Sequence, residues 1–183
     1  KDELRYLSIS RNPVSDLSPL EKSVKLSVLH AGSTKVEDIS VLKNKHYLRE
    51  LDFSNSNLQS IEALRGKSNV QRLYLSGNPE IADEVIEILI TLHESGSFSS
   101  STTRVVLEDL GLDLSDKNNY SKIKTLEESG VELSYHKGNI PPPFDADSGE
   151  SAPTFTMIDK NGTEVSLDEI DDDYIYVQVS AEW

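Results

Sequence analysis

Apolar residues recur with a period of 22 along roughly the first 80 residues of the chain. Leu4, Leu26, Leu48 and Val70 open successive units, and apolar residues follow three and five places later. Those followers are Leu7, Leu29, Leu51 and Leu73, then Ile9, Ala31, Phe53 and Leu75. Alternation over so short a stretch predicts one short strand per unit with one side buried. Units of fixed length that each bury one face stack side by side, so the spacing predicts a solenoid with a parallel sheet.

A polar residue stands at the ninth place of each unit: Asn12, Thr34, Ser56 and Asn78. We expect the ninth side chain to turn inward, because an Asn there can hydrogen-bond backbone groups that would otherwise be buried without partners. Thr and Ser can satisfy part of the same need with one hydroxyl. Thr34 and Ser56 are therefore tolerable departures from Asn.

The second half of the unit carries a recognisable pattern. The segments Val14-Ser15-Asp16-Leu17-Ser18-Pro19-Leu20 and Val36-Glu37-Asp38-Ile39-Ser40-Val41-Leu42 resemble the leucine-rich repeat family, in its 22-residue bacterial internalin-like or SDS22-like subclass. The resemblance covers roughly residues 4–80. It implies a curved solenoid that binds partners, usually proteins, on its concave strand face.

Beyond Asn78 the period lengthens and helical patterns appear. Apolar spacing predicts helices over residues 81–93 and 117–129, and strands over 104–109 and 131–136. The Ser/Thr-rich stretch 95–103 is typical of a loop. These elements predict enlarged αβ repeats that extend the solenoid to residue 139.

The last part of the chain differs in composition. Residues 140–152 contain three consecutive prolines and acidic residues, which indicates a linker. Residues 153–183 carry strand patterns at 154–158, 163–167 and 174–180, which predict a small β appendage. The predicted fold class is therefore α/β: a leucine-rich-repeat solenoid with a curved parallel sheet, enlarged C-terminal αβ repeats and a small C-terminal β appendage.

Charge and composition restrict the function classes. The chain holds 32 acidic against 18 basic residues, a formal net charge of −14, and no basic cluster is visible, so nucleic acid and anionic lipid are disfavoured partners. Cysteine is absent, which excludes thiol catalysis and thiolate-bound metals. No apolar run reaches the roughly 20 residues that span a bilayer, so membrane insertion is not expected.

The repeat register predicts which side chains face outward on the concave side of the sheet. From these we take as candidate partner-binding residues Tyr6, Arg11, His30, Glu50, Asp52, Asn55, Arg72 and Tyr74. Glu50 and Arg72 occupy neighbouring strands at about 5 Å spacing, so we expect an ion pair between them. We also expect His30 to contact Asp52 and thereby to make partner binding sensitive to mildly acidic pH.

Catalytic and metal-binding alternatives are weak. Ser8, His30 and Asp52 fall in one column across adjacent strands, but an open regular sheet offers no oxyanion hole or water-excluding pocket for a hydrolytic triad. The four histidines are His30, His46, His93 and His136, which lack paired ligand spacing. We therefore predict no enzyme activity, no metal site and no cofactor.

The predicted function is that of a non-enzymatic module that binds a protein partner on its concave face. Two alternatives stay open: an acidic inhibitor or immunity-type protein that neutralises a basic enzyme, and a structural spacer or display domain of a longer surface protein. Residues 140–183 hold 11 acidic residues and one basic residue, which suits the inhibitor. The resemblance to internalins slightly favours a bacterial surface or secreted location.

Overall fold

The structure is a computed structural model that describes residues 3–98 and 102–135, together with the backbone of two short strands at 156–158 and 164–166. By its internal contacts the chain divides into two compact units, Lys1–Pro143 and Phe144–Trp183. The first unit contains the repeats and every residue of the candidate site.

Six strands of three residues form one parallel sheet, in chain order. They are β1 (Tyr6–Ser8), β2 (Val28–His30), β3 (Glu50–Asp52), β4 (Arg72–Tyr74), β5 (Arg104–Val106) and β6 (Glu132–Ser134). In β1 to β4 each residue lies opposite the one 22 places later, as Leu29 lies opposite Leu51. The central residues of β2 to β5 are 0% exposed, whereas their flanking residues are at least partly exposed. The predicted period is thus the structural repeat of the sheet.

In each of the first three 22-residue repeats, the chain forms a short 3-10 helix on the side away from the strands before it leads to the next strand. These helices are Ser18–Leu20, Ser40–Leu42 and Glu62–Leu64, and each buries its last leucine. An aspartate two residues before the first two helices starts them: Asp16 accepts a hydrogen bond from the Ser18 backbone N–H at 2.7 Å, and Asp38 accepts one from that of Ser40 at 2.7 Å. The Asp-x-Ser part of the repeat therefore has a local physical role.

From the second repeat to the fourth, the polar ninth residue satisfies buried backbone groups, as the sequence predicts. Asn78 is 0% exposed; its amide donates to the carbonyls of Leu75 at 2.7 Å and Phe53 at 2.9 Å, and its oxygen accepts from the Leu58 N–H at 3.0 Å. The Ser56 hydroxyl donates to the Ala31 carbonyl at 2.8 Å. These bonds tie the third and the fourth repeat each to the repeat before it.

After β4 the repeats enlarge by taking up α-helices, also as predicted. A 3-10 turn at Pro79–Ile81 leads into α1 (Ala82–Glu94), and α2 (Lys117–Glu128) follows β5. Both helices bury an aliphatic face in the core: Val85, Ile86, Ile88, Leu89 and Leu92 in α1, Ile123 and Leu126 in α2. The strands are shorter than predicted, because pairing with the neighbouring unit covers only three residues.

In the second unit the structure describes β7 (Thr156–Ile158) and β8 (Glu164–Ser166), which pair antiparallel. Both fall within the ranges predicted for the first two strands of the appendage. The third predicted strand, 174–180, and the predicted linker, 140–152, lie outside the described residues. No helix in the part of the chain that the structure describes is long and apolar enough to cross a membrane.

Candidate functional site

The strand face is defined here as the solvent-facing side of β1 to β4, which carries the first and third residue of each strand. The parallel register aligns the first residues as Tyr6, Val28, Glu50 and Arg72, and the third residues as Ser8, His30, Asp52 and Tyr74. Because the central residues point into the core, the outer ones must point to solvent. The predicted alignment of Ser8, His30 and Asp52 and the predicted adjacency of Glu50 and Arg72 are therefore confirmed.

Four side chains on the strand face form a continuous line of contacts. The His30 Nε2–H donates to Glu50 Oε1 at 2.9 Å, and Arg72 Nη1 donates to Glu50 Oε2 at 2.9 Å. At the other end, the Tyr6 hydroxyl lies 3.4 Å from His30 Nδ1, and the two rings meet edge to face with centroids 5.5 Å apart. The line runs across four strands, from Tyr6 through His30 and Glu50 to Arg72. It contains the predicted ion pair between Glu50 and Arg72.

The predicted contact between His30 and Asp52 is wrong. His30 reaches Glu50 instead, while Asp52 Oδ1 accepts a hydrogen bond from the Ser54 backbone N–H at 2.9 Å. The Asp52 carboxylate also lies over Gly32, which leaves room for it because glycine has no Cβ. A short aspartate side chain next to a free backbone N–H bonds locally, whereas the longer Glu50 side chain can reach the imidazole. Ser8, His30 and Asp52 therefore share a column without forming a triad.

Glu50 is the electrostatic centre of the line. Burial on its own would raise the pKa of the Glu50 carboxyl, but the hydrogen bonds and charges of Arg72 and His30 outweigh burial and hold that pKa below its ordinary value. The hydrogen bond between Arg72 and Glu50 also raises the pKa of the Arg72 guanidinium. The Glu50 side chain is 22% exposed and that of Arg72 is 51% exposed. The carboxylate is thus held in place while the guanidinium keeps an accessible side.

The remaining candidate residues lie where the strands end. Tyr74 is half-buried at the end of β4. Arg11 and Asn55 follow their strands at the eighth place of the unit, where the backbone is left-handed, with φ of 59° and 54°. The Asn55 side chain lies over Gly77 of the next unit. These residues border the carboxyl ends of the strands.

Two buried lysines are the feature that sequence reasoning missed. Lys45 is 1% exposed and Lys67 is 9% exposed. The Lys45 ammonium donates to the Leu20 carbonyl at 2.7 Å, and that of Lys67 donates to the carbonyls of Lys43 at 3.0 Å and Lys45 at 3.1 Å. Burial lowers the pKa of both. Their 22-residue spacing, in phase with the buried leucines, was the available signal.

No group of three metal-ligating side chains converges in the residues that the structure describes. His30 is committed to the line of contacts. His46 is exposed. His136 lies outside the described residues.

Comparison with known proteins supports the fold. No protein-family model and no curated protein matches the sequence. A solved structure of an internalin from Listeria monocytogenes is similar over 73% of this chain and 36% of its own, with a TM-score of 0.53 and 18% identity. The chain spans about a third of the length of that internalin. At this identity the likeness concerns the fold alone, and it agrees with the parallel sheet: the chain has a leucine-rich-repeat-like fold.

Proposed function

We propose that the compact unit that contains the repeats, Lys1–Pro143, is a non-enzymatic protein-binding module. We further propose that its strand face contacts the partner. In the family that the sequence resembles, this face is the concave one. The observation that carries the proposal is the line of contacts from Tyr6 through His30 and Glu50 to Arg72. Such a line presents aromatic and guanidinium groups in one fixed arrangement.

Tyr and Arg are the residue types that contribute most to protein interfaces. Tyr6 is 57% exposed, the highest value among the aromatic residues of the strand face. Because Tyr6 and Arg72 are already held by neighbours, docking a partner would immobilise less side-chain freedom than on an unconstrained surface. The line therefore supports a recognition role better than a purely structural one.

The other candidates would form the rim of the same interface. Asp52 and Tyr74 lie at the ends of β3 and β4, and Arg11 and Asn55 lie on the turns that follow. Polar residues at the edge of an interface exclude water and add little affinity on their own. We therefore expect weaker effects from Arg11 and Asn55 than from Tyr6 and Arg72.

The wider context belongs to the proposal as well. The internalin-like pattern and the internalin structural neighbour favour a bacterial surface or secreted location. The acidic inhibitor and the structural spacer remain the alternative functions, and the experiment below separates them from the module proposed here.

The test is affinity capture from extracts of source cells and of host material, with the wild-type chain and two double variants. Tyr6→Ala with Tyr74→Ala removes two aromatic side chains from the strand face. Glu62→Ala with Arg65→Ala removes an exposed ion pair on the side of the 3-10 helices and serves as the matched control. Thermal unfolding of each variant establishes that the fold is retained.

We expect a partner that binds the wild type and the control but not the Tyr6 and Tyr74 variant. Equal binding to all three proteins would contradict the strand face as the site. Binding that disappears only when residues 144–183 are removed, or at high salt, would favour the acidic inhibitor. Absence of any partner would favour the spacer.

A further inference from the structure

A small cleft opens at the amino ends of β2, β3 and β4, beside the line of contacts. Its volume is about 250 Å³ and its lining is mostly polar: Ser27, Val28, Arg49, Glu50, Gln71, Arg72 and Thr102. Two guanidinium groups, those of Arg49 and Arg72, border the cleft. Only one acidic side chain, that of Glu50, lines it.

Arg49 carries an uncompensated charge. Its Nη2 donates to the neutral side-chain oxygen of Gln71 at 2.9 Å, and no carboxylate among the described residues forms an ion pair with it. Glu50 is already shared between Arg72 and His30. The cleft therefore has spare cationic donors and, among its lining residues, no carboxylate besides that of Glu50 to match them.

The next strand adds to this excess. Arg72 and Arg104 lie directly opposite each other in the register of β4 and β5, at the roughly 5 Å spacing of neighbouring strands, where like charges repel. Arg104 contacts a carboxylate only on its far side, with its Nε 3.6 Å from Glu132 Oε1. Along this part of the sheet, the guanidinium groups of Arg49, Arg72 and Arg104 thus outnumber the carboxylates of Glu50 and Glu132 by one. An anion beside Arg72 would relieve the repulsion.

We propose that this cleft binds the carboxylate of an aspartate or glutamate side chain on the protein partner. The identity of the ligand as part of a protein rests on the proposed function. Guanidinium groups present pairs of parallel N–H donors that match the two oxygens of a carboxylate. Arg49, which immediately precedes β3, and Arg72, the first residue of β4, supply such donors, and Thr102 lines the same cleft.

A polyanion fits the surroundings less well than a single carboxylate. Glu50 and Glu132 stand on either side of the arginines, and the whole chain carries a net charge of −14. Both would repel an extended row of phosphates. A single carboxylate on a protein surface brings only one charge into the cleft and meets less of that repulsion.

The experiment follows the arginine side-chain Nε–Hε signals of the ¹⁵N-labelled chain by nuclear magnetic resonance. The probe is the blocked tripeptide acetyl-Gly-Glu-Gly-amide, titrated at constant ionic strength. The control probe is the same peptide with Gln in place of Glu. Arg65 is an internal control, because its Nε is already engaged by Glu62 at 2.6 Å.

We expect the Glu peptide to shift the Arg49 and Arg72 signals saturably and to leave Arg65 unchanged. The Gln peptide should produce no saturable shift. Arg49→Gln should weaken binding of the Glu peptide about tenfold, the ratio that corresponds to loss of one charge-assisted contact. Because Arg49 is exposed, this variant should keep its fold, which the amide spectrum reports.

Equal shifts with both peptides, or equal shifts of all arginines, would overturn the proposal, as would tighter binding of inorganic phosphate than of the Glu peptide. The outcome is separable from that of the proposed function. Suppose that the variant lacking the Tyr6 and Tyr74 side chains captures the partner as well as the wild type does, while the Glu peptide still binds at Arg49. The proposed function then fails and the carboxylate site stands. If capture depends on the tyrosines but the peptide does not bind, the reverse holds.

Discussion

The Lys45 ammonium lies 2.7 Å from the main-chain carbonyl oxygen of Leu20, one repeat earlier, and is enclosed with it in the interior. Leu20 O already accepts a hydrogen bond from the Ser23 backbone N–H at 2.8 Å. The lysine therefore adds a second donor to a carbonyl that has one. The buried charge has no carboxylate bonded to it, which makes it costly.

Lys45→Met should increase the free energy of unfolding at neutral pH, because methionine fills the same space without a charge to desolvate. Burial lowers the pKa of Lys45 below 10.5, so the native state loses this proton at a lower pH than the unfolded state does. As pH rises through the lowered pKa towards 10.5, the wild type should gain stability relative to the variant. Urea unfolding at pH 7 and pH 10 measures both effects.

Lys22→Met is the matched control, because Lys22 is exposed in the preceding unit and should show neither effect. A Lys45→Met protein less stable than the wild type at both pH values, by an unchanging margin, would show that the bonds to the carbonyls outweigh the cost of burial.

Asn78→Ala should destabilise the chain by about 2–4 kcal/mol, because buried carbonyl and N–H groups of two units lose their partner. Asn12→Ala removes the equivalent residue from the first unit, where the amide is exposed and donates to the carbonyls of Ile9 and Ser10. Water can replace those bonds, so we expect a loss below about 1 kcal/mol. Equal losses in chemical denaturation would contradict the burial argument.

Gly77→Ala should cost more stability than Gly66→Ala. Both glycines have left-handed backbones, with φ of 69° and 67°, so the conformational penalty for alanine, about 1–2 kcal/mol, is common to both. At Gly77 the new Cβ would collide with the Asn55 side chain, whereas at Gly66 the nearest atom, Ser95 Oγ, lies 3.7 Å away. Thermal unfolding compares the two variants. A larger loss at Gly66 would show that Asn55 moves aside freely.

Glu50→Gln should reduce the loss of stability in acid. The pKa of Glu50 is lowered in the native state from 4.5, so its stabilising contribution is complete above that value and disappears as pH falls through the lowered native pKa. The glutamine variant lacks this term, and its unfolding free energy should fall less between about pH 5 and pH 3. Glu62→Gln, which alters an exposed ion pair, should change the pH profile less. Parallel profiles for wild type and Glu50→Gln would contradict the assignment.

The repeat period was readable from the sequence because it is a property of the backbone. Stacking units of equal length forces Leu29 opposite Leu51 and Glu50 opposite Arg72, whatever the side chains do afterwards. Helices α1 and α2 were predictable for a similar reason, since their aliphatic spacing admits one buried face. The columns of the strand face were predictable too, because residues 22 places apart lie opposite each other on neighbouring strands.

Only the tertiary structure decided which side chains of those columns bond to one another. His30 could reach Asp52 or Glu50, and the backbone N–H of Ser54 settled the choice by engaging Asp52. The burial of Lys45 likewise depends on the carbonyls of the preceding repeat, which its ammonium contacts. Side-chain contacts differ by small energies and depend on competing donors within a few ångströms, whereas the register rests on a whole core of buried leucines. The periodic pattern therefore specified the frame of this protein, and local competition for hydrogen bonds specified its surface.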